Sequence, residues 1–502
     1  MTYLAPETVA WNGIAFLRLK AVRWLLAAFI FWSLLMVVRI KGPGMAMMLC
    51  AAGAFALGLT RAEMARCLKA WPVLAFPLLG LLSVVWSDHP AFTFRVGVQF
   101  AMTAAIAVML YRTLSFSGLT SALMSAGVVA CLHGLSLDAT RVLAGQAFVG
   151  ISDAKNIMAF IAMLPVLAGV AMATHRPNGL MLRLAGLGGA LLGVICVALA
   201  QSAGAYIGTG LGVGVILAAH MFVRAPADIR LILVVAMLLL LPVGILAQSV
   251  LVSQATTFSE DVLGKDTTLT GRTYMWEMAA QFFAERPVQG RGYAAFWVSG
   301  NPDAENIWAR YMQPSGSGFN FHNQFVQVAV DLGLLGLTVF VGTLIVAAAS
   351  FGVRLLRGSA PELPFYLGAF LALVVRLPVE AVMLMQFNII TVLFFMTMAA
   401  AIYGHESVAI RLAAPARRSL RRIRRDRGLV QAREIHHRRK RRVLRQMRTA
   451  KPAVHGPRRQ GRKKTFRQTR QTTPSVQTSV EVARDQTDVH TPPAGGVTPE
   501  PA

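Results

Sequence analysis

Between Ala21 and Gly404 one pattern recurs along the chain, an apolar run of about 17 to 25 residues closed off by a polar connection. A helix that crosses a bilayer needs roughly 20 predominantly apolar residues, and about twelve segments meet that requirement. They lie near 21–38, 43–60, 70–86, 92–111, 119–137, 156–174, 184–200, 204–223, 230–252, 325–349, 363–381 and 387–404. The fold expected is therefore an all-α polytopic membrane protein with about 12 transmembrane helices and one large extracytoplasmic loop containing an amphipathic helix. The first run has no small-residue cleavage site behind it and is expected to remain as a signal anchor. A chain that is 55% hydrophobic and 14% charged is too apolar for an ordinary soluble protein.

The formal charge of +26 invites a nucleic-acid reading, but roughly half of the 49 Lys and Arg lie beyond His405. That tail, 405–502, is expected to be a disordered cytoplasmic segment drawn onto anionic lipid, so membrane lipid rather than nucleic acid is the partner it implies. Ahead of it the chain divides into a cytoplasmic N-terminus (1–20), spans at 21–252, a polar loop at 253–324 and spans at 325–404. Basic residues stay on the cytoplasmic side. Arg18, Arg23, Lys69, Arg112, Arg183 and Arg354, among others, share one side if both termini are cytoplasmic, while Arg39 and Lys41 dissent. The polar loop then lies outside. Cys50, Cys67, Cys131 and Cys196 form no cluster of metal-ligand spacing and read as small apolar core residues.

Within the loop, Thr270 stands where a helix cap is expected, ahead of Met275, Met278, Ala279 and Phe282 at helical spacing and a stop at Pro287. The apolar face of this helix is expected to lie against the bundle or the membrane. QGRGY follows as a turn, and a lone GxG says little about phosphate. Residues 299–320, with two prolines and three glycines, read as a mobile flap.

Ionisable residues at the ends of spans are costly and are functional candidates by default. Asp88, His89, Arg95, Asp153, Lys155, Arg376 and Glu380 all fall on the outer side, with Arg272 and His322 at the two ends of the polar loop. Several cations facing one outer cavity suit a phosphate or pyrophosphate. His322 has the proton affinity to act as a base near neutral pH. Blander readings stay open: Arg376 and Glu380, four apart and so on one helix face, neutralise each other, Arg95 and Lys155 snorkel, and His322 is structural. The loop acids form no DxD pair or Asp/His cluster, so neither a metal nor another cofactor is expected.

LTGR ending at Arg272, Trp276, Pro287, the glycines at 290 and 292, FHNQF at 321–325 and DLGLLGL at 331–337 together resemble the O-antigen ligase and polymerase family. WSDHP with Arg95, DAKN at 153–156, and Arg376 with Glu380 add to the likeness, which is strongest toward the exopolysaccharide repeat-unit polymerases. The resemblance implies an enzyme of the bacterial inner membrane that transfers sugar at its outer face, without metal or nucleotide sugar. It would move a polyprenyl-pyrophosphate-linked oligosaccharide onto a glycan acceptor, alongside other components of polysaccharide export. Arg272 would hold the pyrophosphate and His322 would orient or deprotonate the acceptor hydroxyl. Arg95, Lys155, Asn156, Asn323, Arg376 and Glu380 are the substrate-binding candidates. An arginine common in the family near residue 204 is absent, since the chain reads LAQSAGAYIG there. A ligase of the same family is the near alternative. A transporter of lipid-linked sugar is the alternative of another class, though charges gathered at one face and halves that look unrelated argue against it.

Overall fold

The computed structural model describes residues 13–152, 154–226, 228–230, 232, 270–313, 319–358 and 360–404. Among them there are helices and no strand. A short α1 (Gly13–Leu17) leads into α2 (Lys20–Leu57), α3 (Arg61–Leu68), α4 (Ala75–Leu82), α5 (Pro90–Thr113), α6 (Phe116–Leu143), α7 (Lys155–Thr174), α8 (Leu180–Leu199) and α9 (Ala203–Arg224). After the undescribed stretch come α10 (Thr270–Glu285), α11 (Pro302–Arg310), α12 (Gln324–Leu356), α13 (Leu363–Val374) and α14 (Ile389–Tyr403).

Seven of these helices are long and apolar enough to cross a membrane, and α3 with the segment Trp71–Val85 forms a further candidate bent by 51°. The helix α2 is not straight: Lys41 leaves helical geometry (φ 37°, ψ −111°), and Pro43 next to it has no N–H to give. The guanidinium of Arg23 lies 5.1 Å from the Phe55 ring. The beginning and end of α2 are thus neighbours, and the helix is a hairpin whose arms match the segments expected at 21–38 and 43–60. The helices α13 (12 residues) and α14 (15 residues) are shorter than a crossing needs. The segment expected at 230–252 falls almost wholly outside the described residues. Twelve unbroken spans are therefore not what the described chain contains.

The centre of the bundle is α7, 83% of whose most apolar stretch is buried, against 33% for α8 and α9. Small residues permit the close packing. A Cβ on Gly169 of α7 would come within 2.3 Å of the Gly186 carbonyl on α8, and one on Gly212 of α9 would meet Leu167 at 2.8 Å. Of the cysteines, Cys131 and Cys196 are buried as expected, whereas Cys50 is exposed and Cys67 intermediate.

The assembly around α10 and α11 differs from the sequence expectation in two ways. The apolar face of α10 does not wait for lipid or bundle. Met275, Ala279 and Phe282 close a second hydrophobic core with Phe296, Ile307, Trp308 and Phe321, separate from that of the bundle. The expected flap contains α11, whose N-cap Asn301 accepts from Asp303 N and whose Ala304, Ile307 and Trp308 are buried in the same core. Helix formation there follows from Pro302 at the first turn and an apolar i, i+3, i+4 stripe.

This assembly is locked to the bundle through a broken helix. Within α12, Gly333 departs from helical geometry (φ 62°, ψ −157°), which frees backbone groups that the apolar surroundings would penalise. The 287–292 turn satisfies them: Arg291 N donates to Val330 O (3.0 Å), Gly292 N to Asp331 O (2.8 Å), and Leu334 N to Pro287 O (2.8 Å). The GxG turn thus serves as a backbone clasp. Arg291, with its side chain 12% exposed, secures it. It pairs with Asp303 at 3.1 Å and with Glu285, stacks over Phe282, and has Asp88 at 3.9 Å, while Asp88 also holds Arg286 at 2.6 Å. The Trp86 indole donates to Gln289 O at 2.8 Å. WSDHP is accordingly a second anchor for the clasp.

Candidate functional site

The residues that matter here come from four places. The first turn of α10 carries Arg272, the connection into α12 carries Asn320 and His322, the start of α7 carries Asn156, and a non-helical segment after α13 carries Arg376 and Glu380. That last segment corrects an expectation. The helix α13 stops at Val374 and the chain runs on in turns, so Arg376 and Glu380 do not share a helix face. Its backbone is satisfied from outside, as irregular backbone beside a membrane must be. Gln324 N donates to Leu377 O (2.8 Å), Gln324 Oε1 accepts from Met383 N (3.0 Å), Tyr293 OH donates to Leu384 O (2.8 Å), and Thr103 Oγ1 accepts from Phe387 N (2.8 Å).

These elements enclose a cavity of about 410 Å³. Arg272, His322, Arg376, Glu380, Asn156 and Asn320 line one part of it. Leu34, Leu35 and Val38 from α2 and Phe160 and Ile161 from α7 add apolar side chains to its lining. Five of the residues singled out from the sequence therefore meet in one place.

Three others do not line it. Arg95 is exposed with its guanidinium over the Phe92 ring at 5.1 Å, and Lys155 opens α7 half-buried. Asn323 caps α12, its side-chain oxygen accepting from Phe325 N and Val326 N. Asp153 lies outside the described residues. Asn320, Gln386 and Asn388 were missed by sequence reasoning. The last two are the polar letters of MQFN, at the mouth of an otherwise apolar run, and that interruption was the available signal.

His322 is held by its surroundings. It sits at φ 50°, a left-handed conformation that a non-glycine residue adopts only when neighbours compel it. Asn320 Oδ1 accepts from His322 N at 2.8 Å. The Phe321 carbonyl accepts from the Trp276 indole at 2.8 Å. Trp276 stands one turn beyond Arg272 on α10, so one hydrogen bond ties the arginine's helix to the histidine's loop. Arg272 itself donates to Val379 O at 3.2 Å, joining the segment after α13.

Electrostatics favour an anion. Arg376 has a side chain 9% exposed, lies 4.0 Å from Glu380 at its nearest and stacks over Phe160 at 5.3 Å, with Nη1 buried and without a hydrogen bond. A contact at 4.0 Å neutralises it weakly, so the expected self-neutralising pair leaves cationic capacity to spare. Burial, and then the nearby Arg272 charge, push the His322 imidazole down to about 4, and its buried Nδ1 has no hydrogen-bond partner. The imidazole is therefore neutral at physiological pH and free to accept a proton.

The profile of the family described as O-antigen ligase matches residues 188–341. The exopolysaccharide production protein ExoQ of Rhizobium meliloti (strain 1021) is 30% identical over 338 residues, which cover 65% of this chain and 75% of that protein. The chain belongs to the O-antigen ligase and polymerase family. It is accordingly a multi-helix membrane protein of a family of glycan-transferring enzymes. The opening of α9, where the family-typical arginine is missing near Ala203, adjoins two of the site residues. Ser202, which precedes α9, does not cap that helix with its side chain but donates its hydroxyl to Asn156 Oδ1 at 3.0 Å. A Cβ on Gly208 would meet the Arg376 side chain at 3.8 Å. The guanidinium of Arg376 is thus carried on the stem that abuts the opening turns of α9.

Proposed function

We propose that this protein polymerises polyprenyl-pyrophosphate-linked oligosaccharide repeat units into a surface polysaccharide or exopolysaccharide at the outer face of the bacterial inner membrane, with both termini cytoplasmic. One observation carries the reading. Arg272, Arg376 and His322 converge on a cavity whose remaining lining is largely apolar, which matches a donor made of a dianionic head and an isoprenoid chain. The cations needed are those of the protein, and no metal is invoked.

In this reading Arg272 and Arg376 hold the pyrophosphate and answer the negative charge that grows on it as the bond from anomeric carbon to phosphate oxygen breaks. The acceptor hydroxyl attacks the anomeric carbon from the opposite face, and His322 takes its proton. Polyprenyl pyrophosphate leaves. Arg376 takes the place of the arginine absent near Ala203. Asn156, tied to Ser202, and Glu380 flank the donor. An anionic donor beside His322 offsets the Arg272 field, so the imidazole becomes a stronger base once the donor is bound.

The pH dependence follows. His322 works as the neutral form, so activity is lost as pH falls through its pKa. The acid limb of kcat/KM, which reports the free enzyme, is expected near 4, and the limb of kcat at a higher pH. Arg272→Gln removes a like charge and moves the kcat/KM limb upward. A limb that stays put in that variant removes Arg272 from the account of His322.

The class of reaction is tested by deleting the protein and analysing lipid-linked saccharides and surface glycans. A polymerase leaves single lipid-linked repeats on the outer face. Finished chains that remain on lipid indicate the ligase, and repeats trapped on the cytoplasmic face indicate transport.

A further inference from the structure

A second, smaller cavity adjoins the first. It has about 150 Å³ of space, well under half of the 410 Å³ of the first, which suits a single sugar ring better than an oligosaccharide. The walls of the two cavities meet at Asn320, Met385 and Gln386, which line both.

The lining of this cavity is unlike that of the first. Phe76, Phe92, Tyr293, Trp297 and Phe319 bring aromatic rings to it, aliphatic residues such as Val328, Leu332 and Leu384 fill in between, and Gln324, Gln327, Asp331, Gln386 and Asn320 bring polar groups. Neither arginine nor lysine lines it. Asp331 is 5% exposed, and its Oδ2 accepts from Gln327 Nε2 at 3.1 Å. The Ala294 N–H lies near the carboxyl, but Oδ1 has no hydrogen bond. An acceptor left unmade at that depth is costly unless a ligand or water completes it. Gln327 is itself held, since its Oε1 accepts from the Trp297 indole at 3.1 Å. Among the described residues the Gln386 amide has no partner in the protein. A carboxyl group and an amide lining the same small cavity as aromatic rings are what a pyranose needs, because its hydroxyls hydrogen-bond to the polar groups while its C–H faces pack on rings.

We infer that the 150 Å³ cavity is a subsite for one pyranose ring of a glycan at the transfer centre, with Asp331 and Gln386 receiving its hydroxyls and Trp297 and Phe92 packing its faces. The inference rests on the proposed glycan transfer and adds the place where one sugar is recognised. The ring belongs either to the donor or to the acceptor, and the experiment distinguishes them.

The purified full-length protein in lipid nanodiscs is titrated with free glucose, galactose, N-acetylglucosamine, N-acetylgalactosamine, glucuronate and galacturonate while tryptophan fluorescence is followed. At least one sugar is expected to give a saturable change that Trp297→Phe removes. Asp331→Asn and Gln386→Ala are expected to weaken it by about tenfold to a hundredfold, the scale of a lost hydrogen bond to a charged or buried group. Gln386→Ala breaks no hydrogen bond within the described protein, so its effect does not depend on the folding of Asp331→Asn. Arg272→Ala is expected to leave the titration unchanged, which keeps this test separate from that of the transfer reaction. With lipid-linked repeats extracted from deletion cells as substrate, Gln386→Ala that still releases polyprenyl pyrophosphate to water but no longer extends chains assigns the ring to the acceptor. Loss of both assigns it to the donor. A flat titration with all six sugars, or wild-type affinity in both Asp331→Asn and Gln386→Ala, overturns the subsite.

Discussion

His322→Ala is expected to lower polymer formation by a factor of about 10² to 10⁴, the range for removal of a positioned general base, while the protein remains in the membrane at its normal level. The histidine's Nδ1 forms no hydrogen bond, and its ring meets Phe319 edge-on at 5.9 Å. Truncation therefore removes a reactive group and little packing. Arg272→Ala is expected to cost about 10² to 10³, the effect of losing one charge-stabilising donor, because Arg376 remains in the cavity. Both variants accumulate single lipid-linked repeats, measured by extracting membranes and sizing the released glycans. The double variant is expected to fall short of the product of the two factors, since residues acting on one transition state are not additive. Wild-type polymer from either single variant removes that residue from the site.

The second large effect is on folding. Gly333→Ala places a Cβ 2.5 Å from the Val288 carbonyl carbon and oxygen and 2.7 Å from Gln289 N, at a φ of 62°. Gly290→Ala meets the carbonyl of Asp331 at 2.5 Å from the other side, at 66°. The left-handed conformation alone costs a non-glycine residue about 1 to 3 kcal/mol. The clashing atoms are backbone held by the hydrogen bonds of the clasp, so they cannot step aside. Each substitution is expected to destabilise the assembly around α10 and α11 by more than about 4 kcal/mol, seen as loss of the folded protein from membranes or a sharp drop in thermal stability. Gly342→Ala is the control, because a Cβ there meets nothing within 4 Å. Normal amounts of a stable Gly333→Ala protein would show that the clasp is dispensable.

The parts of this molecule legible in the sequence were those written in local pattern. Apolar runs marked most of the helices that the structure forms, and the spacing of Met275, Ala279 and Phe282 marked both the helix α10 and its buried face. What that face packs on was not legible, because Phe296, Trp308 and Phe321 reach it only through tertiary folding. The break at Gly333 was hidden for a related reason. A glycine in an apolar run is ordinary, and the groups that complete its broken hydrogen bonds come from Pro287 to Gly292, about forty residues earlier. The site was readable as a set of residue types and less so as a place. Arg272, His322 and Arg376 stood out as charges beside apolar segments, but nothing local said that Arg376 leaves its helix, that Arg95 turns to Phe92, or that Asn323 spends its side chain on a cap. Gln386 and Asn320 were passed over because single amides carry no charge to draw attention.

The break in α12 also sets where lipid can begin. At 1.5 Å per residue all 33 residues of that helix would reach roughly 50 Å, far beyond a hydrocarbon thickness of about 30 Å. The portion from Leu334 to Leu356 measures roughly 35 Å, which a modest tilt accommodates. The first turns, from Gln324 to Leu332, then stand above the acyl chains as part of the assembly around α10 and α11. Under the proposed outer-face transfer, a membrane boundary at Gly333 would set the carboxyl of Asp331 and the amides of Gln324 and Gln327, all three buried within the protein, at the level of the lipid headgroups.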